Sequence, residues 1–379
     1  MKLLFFISSL GCGGAERVTA NLANYWVAKG WKITIVTLAA AAQDAYPLDP
    51  SITRVSLSMA GASKNIIDGA LQNFNRAMAL RQALRDIRPD VAVAMMDASC
   101  VILALAARGL TGIVPLGSIH IHPPCQSTKA IWKRLQSIAY GQLPAILTLT
   151  QDTAAWIASN TSARRIEVIP NPIQWPLPES TPRIEPETVC KPERKLLLAA
   201  GRLVPQKGFD LLIDAFACLS ERHGDWDLAI VGEGPEHQRL ELDISARELS
   251  ARVFLPGWAG NIADWYRRAQ LYVFSSRFEG FGNTLAEAMA HGVPAVSFDC
   301  KAGPKDIIRN ETDGLLAPNE DVPALIAALD RLMGDTELRR RFGSAAEEVR
   351  YRYSLERIAG MWERIFQETL AHRRVSLAG

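Results

Sequence analysis

The sequence predicts an α/β protein of two doubly wound domains, each an open parallel sheet wrapped by helices. Buried strands alternate with amphipathic helices along most of the chain, which is the order typical of parallel sheets. The 379 residues exceed one ordinary core and suit two domains. The alternation breaks once, where five prolines lie between residues 171 and 191. That stretch predicts a linker.

The composition is that of a folded protein without a strong charge bias. Hydrophobic residues make up 48% and charged residues 22%, which is a globular profile. The formal net charge is +2, so no global field favours a nucleic-acid partner. The six cysteines are scattered. They lack the spacings of a zinc site or a disulfide framework, which favours a reducing cytoplasm.

The first ten residues have two interpretations. The apolar run from Leu3 to Leu10 follows Lys2, as in an export signal, but it is short for a signal core. A helical period from Glu16 to Lys29 comes next, followed by a buried strand in WKITIVTL. This order forms a strand–helix–strand unit, so we expect residues 1–10 to be the first strand of the fold.

The loop after that strand contains Gly11, Gly13 and Gly14. These glycines would let main-chain amides approach an anion at the start of a helix. Glu16 stands where a dinucleotide fingerprint needs its third glycine. A tight turn without a ligand explains the loop equally well, and both interpretations stay open.

The remaining elements define the expected domains. In residues 1–172, helices are predicted in RAMALRQALRDIRPD and from Cys100 to Ala107, and strands in VAVAMM, IVPLGSIHIH, AILTLT and RIEVIPNPI. A Pro-rich linker covers 173–192. Residues 193–354 repeat the alternation, with strands in KLLLAAGRL, WDLAIVGEG, RVFLPGW, LYVFSS and VPAVSF. Residues 355–379 are predicted to be helical. Such sheets bind ligands at the carboxyl ends of their strands, so we expect the two domains to face each other across a cleft.

Charged residues follow the first strand of the second half. Gly201 and Arg202 come directly after KLLLAA, and Lys207 lies five residues further on, before a helix. A guanidinium and an ammonium beside a helix start suit a diphosphate. The alternative is a solvated charged loop.

A second group lies in SSRFEGFGNTLAEAMAHGVP. Glu279 falls in a loop after a strand, and Gly282 permits a tight turn. Asn283 and Thr284 are expected to cap the next helix, whose amides would face a phosphate. Glu287, one turn further, could accept two hydrogen bonds from a ribose diol.

The stretches GGAERV, GRLVPQKGFDLLIDAF, VGEGPE and EGFGNTLAEAMAHGVPAV together resemble the retaining glycosyltransferases of family 4. The resemblance implies the GT-B architecture, in which two Rossmann-like domains face each other across a cleft. It also implies that the first domain binds the acceptor, that the second binds a nucleotide-diphosphate sugar, and that the final helix crosses back to the first domain.

The resemblance also implies roles by motif position. Arg202 and Lys207 would hold the diphosphate, Glu287 the ribose, and Glu279 the donor sugar near its reacting carbon. His120 would lie beside that sugar, with His122 as the competing candidate. The other implied donor contacts are Gly13, Gly14, Gly201, Gly282, Asn283, Thr284 and Leu285.

The implied chemistry is retaining and needs no metal or other cofactor. Fixed cations and helix amides would stabilise the leaving diphosphate. Front-face attack, in which the departing phosphate accepts the acceptor's proton, would explain why no carboxylate general base is evident.

The acceptor side rests on KAIWKRLQSIAYGQL. Ile131, Trp132, Leu135 and Ile138 share one helical face. Basic residues surround that face: Lys129, Lys133 and Arg134. Such a helix could lie on an anionic membrane or meet a lipid diphosphate, or its apolar stripe could belong to the core.

The stretch FDCKAGPKDIIRNETDGLL, together with GCGGAER, also resembles transferases that extend bacterial lipid-linked glycans, including N-acetylgalactosamine transferases. We therefore expect a peripheral enzyme on the cytoplasmic face of the membrane. Its expected partners are a UDP-sugar, a saccharide acceptor linked to a polyprenyl diphosphate, and the membrane surface. Two alternatives are a nucleotide-sugar epimerase of similar architecture and a non-catalytic assembly module.

Overall fold

A computed structural model describes residues 1–11, 13–61, 66–125 and 130–378. The chain divides into two compact units, one formed by Met1–Pro172 with Leu355–Gly379 and the other by Ile173–Ser354. Each unit is built on a parallel sheet, so the predicted α/β class with two parallel-sheet domains is confirmed.

The sheet of the first unit has seven strands among the described residues. They are β1 (Lys2–Ile7), β2 (Lys32–Thr37), β3 (Thr53–Ser56), β4 (Val91–Met95), β5 (Val114–Ile119), β6 (Ile146–Thr148) and β7 (Ile166–Val168). Their order is β3-β2-β1-β4-β5-β6-β7. Strand β1 is central and buried from Leu3 to Ile7, so the apolar run at the start of the chain forms part of the core.

Helices of the first unit cover this sheet. They are α1 (Gly14–Ala28), α2 (Ile66–Ile87), α3 (Asp97–Ala107), α4 (Ala130–Gln142), α5 (Gln151–Asn160) and the final helix (Leu355–Ala378). The final helix packs on α1. The indole N–H of Trp26 donates to Oε1 of Glu363 at 2.9 Å, and the Trp26 ring lies against Trp362 and Phe366.

The second unit contains a six-stranded sheet. Its strands are β8 (Lys195–Ala200), β9 (Trp226–Val231), β10 (Val253–Gly257), β11 (Leu271–Phe274), β12 (Ala295–Asp299) and β13 (Gly314–Pro318). Their order is β10-β9-β8-β11-β12-β13. The order therefore reverses between β8 and β11, and the crevice at the carboxyl ends of two such strands is where doubly wound sheets bind ligands.

Nine α-helices are described in this unit, together with a short 3₁₀ helix (Pro205–Lys207), and α6 precedes the sheet. In chain order they are α6 (Pro186–Val189), α7 (Phe209–Leu219), α8 (His237–Ala246), α9 (Ile262–Arg268), α10 (Asn283–Ala290), α11 (Pro304–Ile307), α12 (Val322–Gly334), α13 (Thr336–Ala346) and α14 (Val349–Arg352). We name the final helix of the first unit α15 (Leu355–Ala378).

The Pro-rich stretch 173–192 lies within the second unit. The Ser180 amide donates to the Gly260 carbonyl at 3.0 Å. Asn261 Oδ1 accepts from the Ile184 amide at 2.9 Å, and the Trp265 indole N–H donates to the Ile184 carbonyl at 2.9 Å. These bonds attach the stretch to α9 and the residues before it. Within the described residues, no helix has the length and apolarity required to cross a bilayer.

Candidate active site

Two loops meet at the reversal point of the second sheet. One follows β8 and contains Arg202 and Lys207, and the other follows β11 and contains Glu279. The loops are bonded to each other. The Arg277 amide donates to the Gln206 carbonyl at 2.8 Å, and the Gln206 side chain donates to the Phe278 carbonyl at 2.9 Å. The neighbouring positions of β8 and β11 thus bring together residues more than 70 positions apart.

Glu279 is a buried carboxylate held on one of its oxygens. Lys207 Nζ donates to Oε1 at 2.6 Å, and the Ser276 hydroxyl donates to the same atom at 2.7 Å. Glu279 is only 7% exposed. Its Oε2 makes no hydrogen bond with any residue that the structure describes. One carboxylate oxygen is therefore available to a ligand hydroxyl.

The Lys207 side chain passes close to Gly201. A Cβ at Gly201 would lie 3.3 Å from Lys207 Cε, so a larger residue there would press on the lysine. The facing loop holds both ends of Lys207: the Ser275 hydroxyl donates to its carbonyl at 2.9 Å, and Glu279 accepts from its ammonium. The ammonium is therefore held in place before any ligand arrives.

Arg277 positions this loop, and sequence reasoning missed it. Its guanidinium binds the Asp210 carboxylate through two bonds of 2.9 and 2.8 Å and the Pro205 carbonyl at 2.7 Å. These bonds to Arg277 hold the pKa of Asp210 below its usual value. The sequence feature that could have indicated this role is the position of the arginine, two residues before Glu279 in SSRFEG. Arg277 fastens the loop that precedes Lys207.

Arg202 differs from the other arginines of the site. It is exposed, and its guanidinium forms no hydrogen bond or ion pair with the described residues. An arginine that is held by no acid retains its full capacity to bind an anion.

Helix α10 begins differently from the sequence prediction. Gly282 is the N-cap residue, with φ +109°, and no side chain caps the helix. The expectation that Asn283 and Thr284 cap it is wrong, because both lie inside the first turn. The Thr284 hydroxyl instead donates to the Ala200 carbonyl at 3.2 Å, which ties α10 to the end of β8. Leu285 is fully buried.

Glu287 lies in the second turn of α10 and is 5% exposed. Tyr266 of α9 donates to its Oε2 at 3.3 Å. A carboxylate this buried needs hydrogen-bond donors around it, and the phenol supplies one. The structure thus places Glu279 before the start of α10 and Glu287 within that helix.

The predicted glycines of the first unit lie at the start of α1. The Gly13 amide donates to the Gly11 carbonyl at 2.9 Å, and the Tyr46 hydroxyl donates to the Gly13 carbonyl at 3.0 Å. Gly14 is the first residue of the helix.

His120 directly follows β5 and is 7% exposed. Its Nε2 lies 3.0 Å from the Ser118 hydroxyl, and its Nδ1 has no hydrogen-bond partner among the described residues. Burial lowers the pKa of His120 to about 4, so the ring is neutral at neutral pH. His122 is also buried, with Nδ1 3.2 Å from the Thr153 hydroxyl.

Helix α4 carries an exposed apolar stripe. Ile131 is 61% exposed, Leu135 47% and Ile138 50%. The core interpretation is therefore wrong for these three residues. Trp132, by contrast, packs partly against the core of the first unit.

The structure describes two of the three basic residues that the sequence predicts around the stripe. Lys133 and Arg134 are exposed and form no ion pair with the described residues. Lys129 lies outside the part of the chain that the structure describes.

Comparison with known families now decides the class of protein. Residues 12–174 match the model of Glycosyltransferase Family 4, and residues 180–349 match that of glycosyl transferases group 1. The chain belongs to glycosyltransferase family 4. The sequence-based resemblance is thereby confirmed, and this family 4 protein is a glycosyltransferase.

Individual relatives match the chain at low to moderate sequence identity. An exopolysaccharide phosphotransferase of Streptomyces coelicolor is 37% identical over 61% of this chain, which spans only 24% of that protein. A second relative is an alpha-1,4-N-acetyl-D-galactosaminyltransferase of Campylobacter jejuni, whose name gives GalNAc-alpha-(1->4)-GalNAc-alpha-(1->3)-diNAcBac-PP-undecaprenol as its substrate. It is 25% identical over 97% of this chain and 99% of its own length.

A solved structure supports the fold. Anabaena HepE, in a complex with UDP, superimposes with a TM-score of 0.79 at 20% identity, over 97% of this chain and 100% of that one. The likeness establishes the GT-B fold of the family 4 chain.

Proposed function

We propose that this family 4 enzyme transfers a hexose or N-acetylhexosamine from a UDP-sugar to a saccharide acceptor, with retention of configuration and without a metal ion. The observation that carries the proposal is the contact of Lys207 Nζ with Glu279 Oε1 at 2.6 Å. It joins a cation suited to a diphosphate and a carboxylate suited to a sugar hydroxyl at the reversal point of the second sheet.

The diphosphate is assigned to Arg202, Lys207 and the first amides of α10. When the bond between the anomeric carbon and the phosphate oxygen breaks, negative charge grows on the leaving diphosphate. Charges and dipoles that are already fixed stabilise it without reorganisation. Lys207 is fixed by the bonds described above, and Arg202 has no competing acid among the described residues. These two cations take the role that a divalent ion has in metal-dependent transferases.

The rest of the donor is assigned to two glutamates. Glu279 offers Oε2 to a hydroxyl of the transferred sugar, while Lys207 and Ser276 hold Oε1. Glu287, nearly fully buried in α10, accepts the hydrogen bonds of the ribose diol.

The transfer step follows a front-face course. An acceptor hydroxyl oxygen bonds to the anomeric carbon as the carbon–phosphate-oxygen bond breaks, and the departing phosphate takes the hydroxyl proton. The two faces of the sugar are not exchanged, so the configuration is retained. No carboxylate base is needed for the balance of protons.

The acceptor is proposed to be linked to a polyprenyl diphosphate, with the enzyme peripheral on the cytoplasmic face of the membrane. The exposed stripe of Ile131, Leu135 and Ile138 beside Lys133 and Arg134 supports this assignment, since apolar and basic groups together favour anionic bilayers. The name of the Campylobacter relative supports a lipid-linked acceptor.

The test is a transfer assay with UDP-, GDP- and ADP-sugars and short glycan acceptors, in EDTA, with the product anomer read by NMR. We expect UDP release only with acceptor, the donor's own anomeric configuration in the product, and activity in the chelator. An inverted product, or a requirement for Mg²⁺ or Mn²⁺, would contradict the mechanism. Interconversion of the UDP-sugar without acceptor would identify an epimerase instead.

A further inference from the structure

A cavity lies between α4, α5 and the turn after β5, wholly within the first unit. Its volume is about 270 Å³, just below the range of about 300–1,000 Å³ for small-molecule sites. Side chains of α4 and α5 and the turn after β5 line it, among them Pro123, Pro124, Lys133, Gln136, Trp156 and Asn160.

Gln136 is the least expected residue of this wall. It is only 7% exposed, yet its side-chain amide makes no hydrogen bond with any residue that the structure describes. Its amide atoms are not among the buried polar atoms without a partner in the described residues, so they are open to solvent in the cavity. An amide that faces a cavity in this state is available to a ligand.

Two further polar groups of the wall are available. Neither the Lys133 ammonium nor the Trp156 indole N–H bonds with another described residue. Tyr140, in contrast, uses its hydroxyl on the buried Asp97 carboxylate at 2.8 Å, so its ring acts only as wall. Three side chains can therefore bond to one occupant.

The side chains that line the cavity indicate the class of ligand that it would bind. An indole and two prolines offer apolar surface to the C–H groups of a sugar ring, and the amide and indole N–H offer bonds to its hydroxyls. Lys133 is a cation, and no carboxylate is among the described lining residues. The occupant should therefore carry negative charge.

We propose that this cavity is a subsite for an anionic saccharide residue, a sugar ring that bears a phosphate or a carboxylate. It deepens the proposed function and rests on it in one respect: the residue would belong to the acceptor glycan. Lys133 lies both on the cavity wall and beside the exposed stripe of α4, so the subsite adjoins the surface that we assign to the membrane.

The experiment measures binding of small sugars to the full chain by saturation-transfer NMR and calorimetry. The probes are α-glucose 1-phosphate, glucuronic acid and methyl α-glucoside, each added with saturating UDP so that the donor site is occupied. We expect at least one anionic sugar to bind about tenfold more tightly than the neutral one. The two anionic probes distinguish a phosphate from a carboxylate source.

Variants locate the site. Gln136→Leu should weaken binding of the anionic sugar at least tenfold, and Lys133→Ala should remove the preference for charge. Gln136→Glu keeps the shape of the side chain and should repel anions only. Gln142→Leu, an exposed glutamine of the same helix, is the matched control and should bind normally.

The outcomes separate the two proposals. Absence of binding by the wild-type chain, or binding that Gln136→Leu leaves unchanged, overturns the subsite. If the chain binds these sugars through Gln136 but neither binds UDP nor transfers a sugar, the subsite stands and the proposed function fails. UDP-sugar turnover without Gln136-dependent binding leaves the proposed function and removes the subsite.

Discussion

Lys207 Nζ and Glu279 Oε1 are 2.6 Å apart, although the two residues are 72 positions apart in sequence. The contact exists because β8 and β11 are neighbours and because the loops that follow them bond to each other. Glu279 is 7% exposed, so the lysine is an important compensation for its buried charge. The pair therefore links the stability of the site to its chemistry.

We expect Lys207→Ala to reduce kcat by about 10²–10³-fold, the range for loss of one preorganised group that stabilises developing charge. The sheet should remain folded, since Lys207 ends a short 3₁₀ helix outside it, but the free energy of unfolding should fall because Glu279 loses its cation. Initial rates with a UDP-sugar and circular dichroism of the same sample check both statements.

Lys195→Ala is the matched control. Lys195 begins the strand that precedes the site and pairs with Asp225 at the surface, where ion pairs contribute little. Its turnover should equal that of the wild type. Near-normal transfer by Lys207→Ala would remove the diphosphate assignment.

Glu287 can be tested through the nucleotide. If it binds the ribose diol, the wild type should bind UDP about tenfold more tightly than 2′-deoxy-UDP, as loss of a bond to a charged group predicts. In Glu287→Ala that preference should disappear. Calorimetric titration with both nucleotides measures it.

Tyr266→Phe provides the comparison, because it removes a donor to the same carboxylate and leaves the carboxylate itself. The ribose preference should persist in that variant. A preference that survives in Glu287→Ala would place the ribose elsewhere.

Gly208 is a position where a side chain cannot fit. Its φ is +60°, and a Cβ would lie 2.1 Å from the Ser275 carbonyl oxygen. At Gly257, φ is +90° but the nearest atom is 3.5 Å away, on a side chain. Gly257→Ala should lower the free energy of unfolding by about 1–2 kcal/mol, from the backbone alone. Gly208→Ala should lower it distinctly more, because the added methyl group also meets the Ser275 carbonyl. Urea unfolding of both variants measures the loss in the free energy of unfolding. Equal losses in the two variants would show that the loop at Gly208 adjusts to the added methyl group.

Much of this site was predictable because it depends on local signals. The strands before Gly201 and Glu279 are continuous apolar runs, and the carboxyl ends of parallel strands are known places for ligands. The direct bond between Lys207 and Glu279 was not predictable, since it depends on which strands are neighbours. The same holds for Arg277, whose partners are Pro205 in the other loop and Asp210 in the first turn of α7.

Two other features could not be predicted from the sequence, for physical reasons. Strand β3 has only four residues, none of them fully buried, so no apolar run marks it. The Pro-rich stretch reads as a linker, but Asn261 and Trp265 supply hydrogen bonds to it. Local composition contains no information on such partners.

His120 should make the stability of the chain depend on pH. Burial lowers its folded pKa to about 4, against about 6.5 when unfolded. Protonation below pH 6.5 therefore favours the unfolded chain. The contribution of neutral His120 to the free energy of unfolding is complete above that pH and is lost as the pH falls towards 4. Between pH 7.5 and 5 the loss should be about 2 kcal/mol, from the pKa near 4.

Denaturant unfolding at the two pH values, for the wild type and His120→Gln, measures this loss. The variant should lose about 2 kcal/mol less over the interval, from that shift. The histidine resonances give a direct reading, and a His120 signal that titrates near pH 6.5 would contradict the burial argument.

The exposed stripe of α4 predicts binding to anionic vesicles. The double variant Ile131→Gln, Leu135→Gln should lower the membrane-bound fraction in sedimentation with phosphatidylglycerol vesicles, since apolar insertion supplies part of the affinity. Lys133→Ala with Arg134→Ala should weaken binding by about 30-fold, at about 1 kcal/mol per basic residue, and should have little effect on neutral vesicles. Leu242→Gln is the control, because Leu242 is 66% exposed on α8 of the second unit. If the wild type stays in the supernatant, or if Leu242→Gln weakens binding as much as the stripe variant, the stripe is not the membrane surface.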